Sequence, residues 1–207
     1  MQIFMVKRFI RFQISTILFL VGSILYAEPY PLTKVSQYLN NLKFLKADFS
    51  QINEDGTTSS GIILIRRPGN MRFEYYKPDK TLILISAGTL AVFDPKGDSA
   101  PIMYPLTNNP ISLILKDDVD LLNSGIVENF KVDDEKAILM ISNPNKPDLG
   151  NIELVFSGSE PELEQFSIKN ANGSSTLLFL KDIEYPKKIN ATLFSIPLEA
   201  NKRQKIN

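Results

Sequence analysis

Gly61-Ile62-Ile63-Leu64-Ile65-Arg66-Arg67-Pro68-Gly69-Asn70-Met71-Arg72-Phe73-Glu74-Tyr75 is the stretch on which the fold turns. Gly61 to Arg67 is apolar and β-branched, Pro68-Gly69-Asn70 interrupts it, and Met71 to Tyr76 resumes extended chain. The stretch therefore reads as strand, turn, strand. Side chains alternate across a strand, so Ile63 and Ile65 point one way while Ile62 and Leu64 point the other. The same alternation sets Leu82 and Leu84 against Ile83 and Ile85, and puts Arg66 and Arg67 on opposite faces. Two apolar faces require two apolar environments. A curved sheet with helices across its mouth supplies them, and so does a sandwich packed on both sides. The pattern alone leaves both open.

On the N-terminal side, Leu32, Val35, Leu39 and Leu42 recur at helical spacing, which predicts a short amphipathic helix between Pro31 and Leu45. Alternation begins at Ala47 and runs into the turn signal Asn53-Glu54-Asp55-Gly56. On the C-terminal side, strands are predicted over Thr81–Ser86 and Thr89–Phe93. Then Asn108-Asn109-Pro110 with Ile111, Ile114 and Leu115 reads as a capped helix with proline at its first position. Asp117 to Leu122 extends that helix or starts a second. Strands resume over 126–132, 137–142, 152–156, 163–169 and 174–184, the last pair joined by the hairpin turn Asn172-Gly173. A final strand around Leu193 to Ile196 precedes a polar basic tail. Short strands with turn residues every eight to twelve positions describe an antiparallel sheet that curls. There is no internal repeat and no dividing linker, so one domain of 207 residues is expected.

The first 27 residues contain Lys7, Arg8 and Arg11, no acid, an apolar run from Ile14 to Leu25, and Ala27 before Glu28-Pro29. That is the layout of a cleaved export signal, with residues 28–207 as the mature domain. Leu25 is larger than the residue preferred two before a cleavage point, which leaves an uncleaved anchor as the alternative. The mature chain has 20 basic against 23 acidic residues, about −3, and no basic stripe for nucleic acid. Cysteine is absent, so disulfides, thiolate metal sites, cysteine nucleophiles and lipid attachment to this chain are excluded. Histidine is absent too, which removes the usual general base and Ser-His-Asp triads.

Three stretches together resemble the periplasmic lipoprotein carrier family, LolA. Ala47-Asp48-Phe49-Ser50-Gln51 is similar to the family's first-strand pattern of Phe, one residue, then Gln. The opening stretch looks like its Gly-strand-Arg-Pro-Gly segment continuing into Arg-aromatic-Glu-Tyr, with Pro78 shortly after. Asn172-Gly173 through Phe179, then Asn190 and Phe194-Ser195-Ile196, are similar to its terminal hairpin and closing strand. The match spans most of the mature chain in order, although Tyr104 to Ser124 aligns poorly.

The resemblance implies an incomplete antiparallel β-barrel, mainly β with short helices, whose mouth is closed by an α-helical lid. It implies a non-enzymatic carrier without cofactor or metal. The carrier would work in the periplasm as a monomer, with acylated lipoproteins, an inner-membrane ABC exporter and, if present, an outer-membrane receptor as partners. Arg67, directly before Pro68, falls on the family's functional arginine, which bonds lid carbonyls and holds the empty cavity shut. Phe49, Ile63, Ile65, Met71, Phe73 and Tyr75 fall where cavity-lining residues belong, and Ile111, Ile114 and Leu115 on the lid helix. Phe73 stands where many members have tryptophan, and this chain has none. Ordinary core packing, and a solvent-facing arginine, are the alternatives for these positions. Tens of acyl methylenes at about 0.8 kcal/mol each make unshielded transfer through water prohibitive, and shielding needs no covalent chemistry. The competing functions are a glycolipid carrier on the same cup, a hydrolase using Asp94 or Glu74, and a binding or sensor module. The sensors that resemble the family carry a further domain, for which 207 residues leave no space.

Overall fold

The computed structural model describes residues 31–204, apart from 54, 96–99, 134, 135 and 171. The export-signal reading falls on residues outside that set. Among the described residues no helix is long and apolar enough to cross a membrane.

Helix α1, Leu32–Asn41, is followed by β1, Phe44–Ile52. The helix therefore ends before the expected limit at Leu45, because Leu42 adopts extended backbone while its N–H still bonds Tyr38 O. Then come β2, Thr58–Arg66, β3, Asn70–Tyr75, β4, Leu82–Ser86, β5, Thr89–Phe93, and β6, Ile102–Pro105. After a crossing segment the chain forms β7, Val127–Asp133, β8, Lys136–Ser142, β9, Gly150–Ser157, β10, Glu162–Asn170, and β11, Ser175–Glu184. Helix α2, Ile196–Gln204, follows a 3-10 turn over Ala191–Phe194.

The eleven strands make one antiparallel sheet in the order β6-β5-β4-β3-β2-β1-β11-β10-β9-β8-β7. It is open: β6 and β7 are its edges and do not pair. The sheet curls strongly. Phe73 on β3 and Phe166 on β10 are four strand spacings apart, about 19 Å on a flat sheet, yet their ring centroids lie 6.5 Å apart. The curl gathers the inward residues of both halves, including Phe49, Ile63, Met71, Leu154 and Leu180, into one core.

Topology also dictates a strap. β6 and β7 are consecutive in sequence but lie at opposite edges, so residues 106–126 must cross from one edge to the other. They cross over the concave face, burying Leu106, Ile111, Leu113, Ile114, Leu115, Val119, Leu121 and Ile126. The expected capped helix is there only in part. Asn109 accepts from Ile111 N–H at 3.0 Å and Pro110 takes the first position, but the element is a single 3-10 turn, Pro110–Leu113. Ile114 and Leu115 lie just past it, and no helix covers Asp117 to Leu122. The segment crosses the sheet as a series of short turns, with 3-10 turns at Leu106–Asn108 and Pro110–Leu113 and, among the described residues, no strand between β6 and β7.

The outer face is covered as well. Leu82, Leu84, Ala91 and Phe93 pack under Ile196 and Ala200. That cover corrects the expected closing strand at Leu193 to Ile196. Asn190 caps Thr192 N–H, Pro197 stands in the first turn of α2, and Arg72 on β3 grips the segment through Leu193 O at 3.1 Å and Glu199 at 3.4 Å. The basic tail is thus a docked helix up to Gln204. β6 was not expected from sequence.

Candidate functional site

The site is built between the concave face and the strap. Gly61 sits opposite Phe49 across β1–β2, and a Cβ there would lie 2.8 Å from the Phe49 ring and 2.2 Å from Glu74 O. The missing side chain lets the Phe49 ring lie over β2. The ring then meets Phe73 edge-on at 5.8 Å and Tyr75 at 5.0 Å. Phe73 and Tyr75 of this cluster wall a cavity of about 230 Å³, with Phe49 packed behind them.

Phe73, Ile83, Ile85 and Leu90 line the cavity from one half of the sheet, Ile168 and Leu178 from the other, and Ile111 of the strap roofs it. Its polar margin is Gln51, Tyr75, Asn109, Asn170 and Thr176. Tyr75 Oη donates to Gln51 Oε1 at 2.6 Å, and burial, with the Asp79 charge, pushes its phenol up to about 12. The Asn109 side chain of the strap meets Asn170 of β10 at 3.5 Å. Of the residues expected to line a cavity, Phe73 and Tyr75 stand on its wall. Phe49, Ile63, Ile65 and Met71 are packed in the core beside it. Ile83, Ile85, Leu90, Ile168 and Leu178 escaped the sequence reading. The Leu82–Ile85 alternation had marked β4, but not which face turned inward.

A cavity of about 150 Å³ is filled by one benzene, so about 230 Å³ takes only a short piece of hydrocarbon. A second, more open cleft of about 520 Å³ lies beside α1, where Tyr38, Leu42, Pro161 and Tyr185 share the lining with Lys34, Gln37, Asn41, Glu160 and Glu162.

Arg67 holds the strap. It is 5% exposed, at the end of β2 before the cis Arg67–Pro68 peptide. Its Nε and Nη2 both donate to Lys116 O, at 3.0 and 2.5 Å, and Nη2 also reaches Asp117 O at 3.4 Å. Nη1 donates to Leu42 O, just past α1, at 3.4 Å. The neighbouring Gly69 N–H donates to Leu115 O at 2.8 Å. Burial pushes the guanidinium below its ordinary value, while the Asp117 and Asp118 charges act the other way. Arginine stays charged through such a shift. No carboxylate pairs with it within 4.0 Å among the described residues. A buried cation held by main-chain carbonyls has its donors satisfied without an ion pair. Arg66 lies half-buried on the other face. Glu74, weighed as a hydrolytic carboxylate, is on the outer face in an ion pair with Arg72 at 2.7 Å.

The family model of the outer membrane lipoprotein carrier protein LolA matches residues 40–197. An outer-membrane lipoprotein carrier protein of Coxiella burnetii is 27% identical over 186 residues, covering 86% of this chain and 87% of that protein. One of Methylococcus capsulatus is 24% identical over 180 residues, covering 81% and 84%. The crystal structure of a LolA superfamily protein from Nitrosomonas europaea aligns with TM-score 0.45 and 12% identity, over 79% of this chain and 96% of that one. With the family model matching 158 consecutive positions of the 207, the chain belongs to the LolA family of outer membrane lipoprotein carriers.

Proposed function

We propose that this chain carries acylated proteins through the periplasm without chemical change, taking them from an inner-membrane ABC exporter and delivering them to the outer membrane or a receptor there. The acyl chains displace the strap and occupy the hollow beneath it. The observation that carries this reading is the strap itself: an apolar segment laid over an apolar cavity and held by Arg67 through carbonyl oxygens. Arg67 is then a latch. Loading breaks its bonds to Lys116 and Asp117, and their re-formation favours the empty, closed cup and so assists release. Phe73, Tyr75 and the β4 isoleucines contact the first acyl segment, with Phe49, Ile63, Ile65 and Met71 behind them. Ile111, Ile114 and Leu115 are the strap's apolar underside.

The test is mass spectrometry of the protein isolated intact from the periplasm. Triacylated lipoprotein in stoichiometric complex is the expected result. A glycolipid occupant with no lipoprotein would move the function to another amphiphile on the same cup, and an empty protein that forms no complex with added triacylated lipoprotein would overturn the reading.

A further inference from the structure

The strap is gripped at a second point, from a different element. Val119, three residues past Lys116, is 1% exposed. Its N–H donates to Asn40 Oδ1 at 2.8 Å, and Asn40 Nδ2 donates to Val119 O at 3.2 Å. One side chain of α1 thereby satisfies both main-chain groups of a residue 79 positions away, as a neighbouring strand would. Only a primary amide offers a donor and an acceptor side by side for this.

The platform under Asn40 is firm. Val35 and Leu39 of α1 are buried in the core, and the Tyr38 ring packs edge-on against Phe156 at 5.6 Å while its hydroxyl accepts from Leu163 N–H at 3.3 Å. Arg67 touches the same region through Leu42 O. Residues 116–119 of the strap are therefore held from two sides, by the β2–β3 turn and by the last turn of α1. Lys43 and Asp117 add an ion pair at 3.6 Å, but both are well exposed and contribute little.

We infer that Asn40 is a second positioning residue for the strap, a neutral clasp that keeps this end closed together with Arg67. Its consequence for cargo rests on the carrier reading. A contact made only in the closed form opposes loading and favours release, so removing it makes the protein hold an acylated protein longer. The contact itself is testable without cargo.

The experiment is amide hydrogen exchange on the intact protein, comparing Asn40→Ala and Asn40→Asp with the parent. The reporter is the Gly69 N–H, which bonds strap Leu115 O and does not touch Asn40. Leu154, in β9 between two paired strands, reports global unfolding. Loss of two neutral hydrogen bonds predicts about a tenfold rise at Gly69 in Asn40→Ala with Leu154 unchanged. Asn40→Asp keeps the acceptor for Val119 N–H and loses the donor, so it should rise less. If Asn40→Ala folds poorly, the aspartate variant decides alone. Unchanged Gly69 exchange, or Gly69 and Leu154 rising together in both variants, would overturn the clasp. A slower off-rate of triacylated lipoprotein from the variants supports the functional half. If the parent binds no lipoprotein, the carrier reading fails while the exchange result still decides Asn40.

Discussion

Arg67→Leu isolates the latch from the rest of the fold. The substitution removes two donors to Lys116 O at 3.0 and 2.5 Å, and two longer contacts at 3.4 Å that are too weak to count for much. A hydrogen bond from a charged donor is worth about 1.5–3 kcal/mol net, so the forked contact to Lys116 sets the scale at about 2–3 kcal/mol. At about 1.4 kcal/mol per factor of ten, the closed form loses about 30- to 150-fold against the lifted strap. Global stability should fall by less, because leucine avoids the cost of burying a guanidinium and returns apolar contact. The assay is hydrogen exchange at Gly69 N–H, which bonds Leu115 O of the strap, read beside a urea unfolding curve. The account predicts faster Gly69 exchange by the stated factor with little change in the urea midpoint. If Gly69 stayed as protected as in the parent while the protein remained folded, Arg67 would be a packing residue and the latch would be wrong.

Two further perturbations test the walls of the cavity. Burial raises the Tyr75 phenol from 10.0 to about 12, so the folded state holds this proton more tightly than the unfolded chain does. Its contribution is whole below pH 10 and is lost as pH rises towards 12. The urea midpoint should therefore drop more steeply over that range in the parent than in Tyr75→Phe, and identical slopes would contradict the buried phenol. Gly61→Ala places a Cβ 2.2 Å from Glu74 O, a main-chain atom that cannot swing aside, and 2.8 Å from the Phe49 ring. Overpacking of this kind costs about 1–3 kcal/mol, and an unshifted thermal midpoint would show that β2 and β3 are looser than described.

Much of this architecture is written in local pattern. The alternation from Gly61 to Arg67, broken by Pro68-Gly69, marks the β2–β3 hairpin, and the doubly apolar β4 announces cover on both faces. The identity of the outer cover was not legible. Phe194-Ser195-Ile196 alternates like a strand, and it is Arg72, bonded to Leu193 O and Glu199, together with the apolar patch of Leu84 and Phe93, that draws this segment into a turn and helix. β6 gave no alternation to read, because Ile102, Met103 and Tyr104 are all exposed on an edge strand. The end of α1 does carry a sequence signal: Leu45, Ala47 and Phe49 alternate with Phe44, Lys46 and Asp48, so extended chain begins before Leu45. The strap's cap at Asn109-Pro110 was visible, but its shortness follows from the need to join opposite sheet edges, which only the topology shows. Asn40 carried no sequence signal at all, since its partner lies in a segment whose path depends on the whole sheet.

The central claim is that acyl chains enter only when the strap leaves the sheet. The chain has no cysteine, so a pair introduced at Asn109 and Asn170, whose side chains meet at 3.5 Å, can be joined by a short cleavable thiol crosslinker without interference. Loading with a triacylated lipoprotein is then measured before and after cleavage. The account predicts no complex with the strap tied down and full loading once the link is cut; equal loading in both states would mean that the hollow beneath the strap is not where the lipid goes.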